Sequence, residues 1–91
     1  MLFVTLMSPK GKGEEAIKYL KEIKAPKGIK VRDVLFTFGR YDGIIIFEAP
    51  SEKDAMKFIM GIGFTTQYTM ETLTAVPVKE IQPILETNNR Y

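Results

Sequence analysis

The chain has 91 residues, with 13 lysines and arginines against 11 aspartates and glutamates, and it contains neither cysteine nor histidine. Its length is that of one domain. The missing residue types exclude disulfides, thiolate and Ser-His-Asp nucleophiles, and metal centres built on imidazole or thiolate. A net charge of +2 lacks the concentrated basic patch of a nucleic-acid binder, and no apolar run approaches a membrane span.

Leu2 to Met7 has strand composition and is apolar at successive positions, as in a strand covered on both faces. Ser8-Pro9-Lys10-Gly11 ends it. Ala16, Ile17, Leu20 and Ile23 then recur at helical spacing behind Glu14 and Glu15, which predicts a helix over 13–24 closed by Pro26 and Gly28. The lysines between Lys10 and Lys30, diluted by Glu14, Glu15 and Glu22, read as its solvated face. Gly11-Lys12-Gly13 lacks the spacing and the Lys-Ser/Thr pair of a phosphate loop.

A second strand is expected over 29–38. Ile29 and Val31 share one parity while Val34, Phe36 and Phe38 share the other, so a β-bulge is expected near Arg32-Asp33. Gly39 to Asp42 reads as a turn, with Asp42-Gly43 as a hairpin signal and Gly39 and Gly43 free to take positive φ. The run Ile44 to Glu48 is a central strand. Ser51, with Asp54 three residues on, is a helix cap. Ala55, Phe58, Ile59 and Ile62 form the buried stripe of a second helix, which Gly61 and Gly63 are expected to end. Phe58, Met60 and Phe64 read as packing around that helix. A fourth strand is expected over 65–76, stopped by Pro77, followed by a helical turn from Val78.

The order β-α-β-β-α-β is the ferredoxin-like α+β arrangement: one antiparallel four-stranded sheet with two helices on one face. Residues 1–80 form this domain and 81–91 a tail. The first and third strands are apolar on both sides, so the second sheet face also needs a cover. A second copy packing sheet to sheet supplies it, giving a homodimer open to higher assembly. A chain of 91 residues buries only about 60–65% of its unfolded surface, and a partner adds core.

Gly39-Arg40-Tyr41-Asp42 before an apolar strand, then Glu48-Ala49-Pro50 and an amphipathic helix, resemble the GYD-domain family, as does the later Thr69-Met70-Glu71-Thr72-Leu73-Thr74-Ala75. The signature glycine, tyrosine and aspartate are Gly39, Tyr41 and Asp42, and the resemblance covers roughly residues 30 to 80. It implies a dimeric α+β barrel and little about activity. The same architecture hosts haem-degrading and cofactor-free monooxygenases, lactone isomerases and amino-acid-sensing domains, so fold alone does not choose a function. The ligand-binding domain of leucine-responsive-type regulators has a similar Gly-x-Tyr-Asp turn. With no helix-turn-helix segment in these 91 residues, that likeness would make the chain a stand-alone sensor.

Few polar groups remain as site candidates. In the turn, Asp42 is suited to bond its own backbone and Tyr41 to lie on the core edge. Arg40 is suited to pair with Asp42, Glu48 or a partner subunit, or to hold a carboxylate or phosphate with Tyr41. Glu71 shares a strand face with Gln67, Thr69, Leu73 and Ala75. It reads as a surface salt-bridge partner or, if enclosed, as a general base. Tyr68 completes the set of ligand-binding candidates Arg40, Tyr41, Tyr68 and Glu71. No metal and no cofactor is expected. The reading is a cytoplasmic homodimer of the GYD type, a module for assembly or for binding a small apolar or anionic ligand. It touches neither nucleic acid nor membrane. The alternatives are a cofactor-free isomerase or monooxygenase, and an amino-acid sensor.

Overall fold

A computed structural model describes residues 1–8, 23–66 and 69–81, with residues 63–66 described by backbone only. Gly11-Lys12-Gly13, Tyr68, the tail from 82 onward and the expected first helix up to residue 22 lie outside these residues, whereas Ile23 and Lys24, expected to close that helix, are not helical. The described elements are β1 (Leu2–Ser8), β2 (Lys30–Phe36), β3 (Gly43–Glu48), α1 (Glu52–Thr66) and β4 (Thr69–Ala75). They build one sheet in the order β2-β3-β1-β4, with every neighbouring pair antiparallel. This is the ferredoxin-like α+β sheet, with β1 and β3 in the centre.

Alternation along the central strands produces the core. Phe3, Thr5 and Met7 of β1 and Ile45 and Phe47 of β3 are buried, whereas the intervening residues are half-buried. The buried set meets Ala55, Phe58, Ile59 and Ile62 of α1. The ring of Phe47 stacks on Phe3 at 5.4 Å and meets Phe58 edge-on at 5.1 Å. Thr5 is the one buried polar residue in this set, and its hydroxyl shares a 2.9 Å hydrogen bond with that of Thr72, its partner in register.

The bulge falls where parity slips. Val31 pairs with Phe47 but Asp33 pairs with Ile46, so Arg32 is the extra residue. Val31 and Val34 have opposite parity, and the bulge turns both toward the core. The strand itself is shorter than the sequence suggests. It stops at Phe36, and Phe38 lies in the following loop, fully exposed at 106%. Polar spacing does not position Phe38, because the loop closes through the main chain: the N–H of Thr37 donates to Asp42 O at 3.0 Å. The connection is therefore a longer loop rather than a tight Asp-Gly turn. Gly39 takes φ +135°, whereas Gly43, expected to share that freedom, is instead a buried strand residue opposite Met7 and Phe36.

Ser51 caps α1. Its Oγ accepts the Asp54 N–H at 3.2 Å and donates to Asp54 Oδ2 at 2.9 Å. Glu52 and Asp54 place negative charge in the first turn, which suits the helix dipole. The helix does not end at Gly61 and Gly63 but runs to Thr66. A glycine inside a helix costs about 1 kcal/mol, while burying an isoleucine contributes about 1.5–3 kcal/mol. Ile62, only 4% exposed, therefore carries the helix past Gly61. That extension shortens β4 from the expected 65–76 to Thr69–Ala75. Residues 78–81 form a helical turn. No helix among the described residues is long and apolar enough to cross a membrane.

Because Phe47 joins both aromatic contacts, Phe47→Ala should destabilise the domain by about 3–5 kcal/mol. Urea denaturation followed by circular dichroism measures this, and a loss below about 1 kcal/mol would contradict the assigned core.

Candidate functional site

The sheet has two unlike faces. One carries α1. On the other, register places Val4 beside Ile46 and Leu73, and Leu6 beside Ile44 and Glu71. Val4, Leu6, Ile44 and Ile46 are half-buried, and Leu73 is exposed. This open face is apolar through its centre and polar at both ends.

At one end stands the Gly39-Arg40-Tyr41-Asp42 loop. Its main chain is fixed to the sheet: Asp42 N–H donates to Met7 O at 2.9 Å, and Ser8 Oγ donates to Arg40 O at 3.3 Å. Thr37 adds a hydroxyl bond to Tyr41 O. So held, Tyr41 reaches from the loop to the edge strand, where its hydroxyl donates to Glu71 Oε2 at 2.9 Å. The Arg40 guanidinium lies over the Tyr41 ring, 5.7 Å from its centroid. Arg40, Tyr41 and Glu71 thus converge as one cluster, with Arg40 and Glu71 exposed and Tyr41 half-buried. Glu71 is satisfied by a phenol, not by the lysine or arginine expected of it. It lies on the exposed rim of the open face, outside any enclosed cavity.

At the other end Arg32 Nε donates to Glu48 Oε2 at 2.7 Å. Arg40 was expected to have Glu48 among its partners, but the bulge residue Arg32 takes it. This pair forms part of a cleft of about 430 Å³, bounded also by Leu2, Ala75, Val76 and Pro77. On the helix side, a second cleft of about 270 Å³ runs between α1 and β4 past Met56, Met60 and Thr72. Met60, expected to pack, is exposed here, whereas Phe58 is core. A third, of about 290 Å³, lies between Ile29 and Phe58. The side chain of Phe64 is outside the description. Among the described residues, no three His, Cys, Asp or Glu side chains group in a way that could hold a metal ion.

The electrostatics follow the contacts. The hydrogen bond to the Glu71 carboxylate, with desolvation and the nearby negative charge, raises the Tyr41 phenol above its ordinary value, and Arg40 opposes the shift. The hydrogen bond from Arg32 holds Glu48 below the usual carboxylate value against desolvation, and the charges of Arg32 and Lys30 add to the effect. Arg32 is raised in turn by Glu48.

An open-faced ferredoxin-like sheet with a Gly-Arg-Tyr-Asp loop pinned at its rim defines a small α+β domain built around that loop. The family model described as the GYD domain matches residues 5–85, and the chain belongs to the GYD domain family. No curated protein and no solved structure matches the chain.

Two titrations check this geometry. Tyr41 has a raised value in the folded state. Its bond to Glu71 therefore stabilises the fold fully below the ordinary tyrosine value, near 10, and is lost as pH climbs through the raised one. In ultraviolet titration, the wild-type minus Tyr41→Phe difference should show a phenol ionising above pH 10. A midpoint at or below 10 would remove the bond. Glu48 behaves oppositely: its pairing contributes above the ordinary carboxylate value and is lost as pH falls through the depressed one. Carboxyl NMR should find Glu48 below the usual range in wild type and back within it in Arg32→Ala.

Proposed function

We propose that the protein works as a homodimer whose open sheet faces pack on each other, and that it binds a small, partly apolar molecule with a negative group at the Arg40-Tyr41-Glu71 rim. The observation that carries this is the open face itself, with aliphatic side chains on both central strands and a polar cluster at its edge. Apolar patches of this kind on a small domain favour association. Arginine beside a phenol suits a carboxylate or phosphate, while the neighbouring Leu6 and Ile44 suit an apolar body.

A reaction is less well supported. A general base needs an environment that shifts its proton affinity toward neutral pH, and Glu71 is exposed and already accepts a hydrogen bond. None of the three clefts described above includes it. Binding or assembly is the better reading, in the water-filled interior of the cell.

Sedimentation velocity at micromolar concentration should give twice the chain mass for wild type and a folded monomer for Val4→Arg, which sets a charge in the centre of the face. A monomeric wild type would defeat the dimer. Anilinonaphthalene sulfonate, an apolar anion, should bind the wild type, and Arg40→Ala should weaken that binding several-fold. Equal affinity in both proteins would remove Arg40 from the site.

A further inference from the structure

The two outer strands of the sheet are unlike. β2 carries the bulge and the charges of Lys30, Arg32 and Asp33. β4 pairs with β1 over all seven positions, Leu2–Ser8 against Ala75–Thr69, with no shift of register. Its sequence Thr69-Met70-Glu71-Thr72-Leu73-Thr74-Ala75 holds one charge, no proline and no glycine, and every residue but Met70 and Ala75 is exposed. A long, regular and nearly uncharged edge is a template for another strand.

Hydrogen bonds at the start of β1 fix which main-chain groups this edge presents. Met1 N donates to Ala49 O at 2.9 Å and Ala49 N–H donates to Met1 O at 3.0 Å, so Met1 turns its main chain toward the β3 side. Along an antiparallel strand this direction alternates. Leu2, Val4, Leu6 and Ser8 therefore address β4, where they face Ala75, Leu73, Glu71 and Thr69. The N–H and C=O groups of Met70, Thr72 and Thr74 point outward, and among the described residues β4 pairs with β1 alone. Beside the edge, on the helix side, runs the cleft of about 270 Å³ between α1 and β4, with Met56 and Met60 along it, 62% and 46% exposed. Donors, acceptors and an apolar wall thus stand side by side.

We infer that β4 is a docking edge for the β4 of a second copy of this chain, the two strands pairing antiparallel about a two-fold axis that passes beside Thr72, normal to the sheet. The contact uses a surface other than the open face and stands whether or not the faces pack. It sets Thr72 opposite its counterpart and Met70 opposite Thr74 of the second copy, so that all the outward groups are paired. Glu71 falls opposite Leu73, and the one charge of the strand meets no like charge directly. An axis at Glu71 would set two carboxylates face to face. An axis at Leu73 would set Thr69 and Met70 beside Pro77 and Val76, beyond the end of β4. With the axis at Thr72, both helices lie on one side of the joined sheet, where Met56 and Met60 of each copy cover the joint, a role that suits adaptable methionine. The edge of seven residues is about 23 Å long, and one sheet layer with one helix layer is about 20 Å deep, so the contact is on the order of 460 Å². A stable interface buries about 800 Å² on each partner. The pairing is therefore weak and forms above the micromolar range.

Amide hydrogen exchange, read residue by residue by NMR alongside the mass in solution, tests this. In Val4→Arg, which takes the open face out of association, micromolar protein should exchange Met70, Thr72 and Thr74 fast, and Glu71 and Leu73 slowly. At millimolar concentration the mass should double, and the first three amides should slow by at least about tenfold. Wild type should show the same slowing from its own starting mass. Thr74→Pro keeps the ladder to β1, because the N–H it removes faces outward, and it should abolish the doubling. Thr74→Val retains that N–H and should retain the doubling. No doubling at millimolar concentration, doubling without slowing of the three amides, or doubling unchanged in a folded Thr74→Pro would overturn the docking. Slow exchange of the three amides already in the dilute protein would show the edge covered by the chain itself and would equally overturn it. None of these outcomes bears on the face-to-face dimer, which the wild-type mass at micromolar concentration decides.

Discussion

Two strands that are apolar on both faces dictate the rest of this molecule. β1 and β3 occupy the middle of the sheet, and each carries a fully buried row toward α1. Their alternate residues, Val4, Leu6, Ile44 and Ile46, form a second row that the single protomer covers only in part. The first row is closed by the Phe3-Phe47-Phe58 contacts and by the Thr5-Thr72 pair, which removes the cost of a hydroxyl in an apolar layer. Among the described residues the second row has no such closure. The polar groups of the open face stand around this row, at the ends of the sheet and along its edge strands.

The loop that marks the family has a structural task before any chemical one. Gly39 supplies a backbone conformation that other residues rarely adopt, and Asp42 supplies its main chain, not its carboxylate, to close the loop and pin it to β1. Those two contacts aim Tyr41 across the sheet end to Glu71, so that the loop and the β4 edge are tied together. Arg40 lies over the tyrosine ring with its charge exposed to solvent. The residues that remain available to a ligand are thus those left over once the loop has been fixed.

Much of the fold was legible because its signals are local or periodic. The bulge at Arg32 showed as a slip of parity, the cap at Ser51 as a spacing of three, and the central strands as uninterrupted apolar runs. The errors came where tertiary contact overrode a local rule. Glycine at 61 reads as a helix end until the burial of Ile62 is known. Asp42-Gly43 reads as a tight turn until Thr37 is seen to close a longer loop. The candidate site was half legible. Arg40, Tyr41 and Glu71 were each selected by residue type and place, but Tyr41 and Glu71 are 30 residues apart, and only strand register brings them together. The salt bridge of Arg32 and the exposed position of Phe38 beyond the strand were missed. Arg32 looked like a bulge residue alone, and Phe38 looked like one more apolar residue on the strand parity of Val34 and Phe36.

The bulge in β2 also bears on what the protein avoids. β2 and β4 are the outer strands, and an outer strand offers unpaired main-chain groups to any passing chain. In β2 the extra residue breaks the regular ladder, and Lys30, Arg32 and Asp33 crowd charge along the same stretch. An approaching strand would meet a kinked, charged margin. Growth strand by strand into fibres along this margin is therefore opposed from the start.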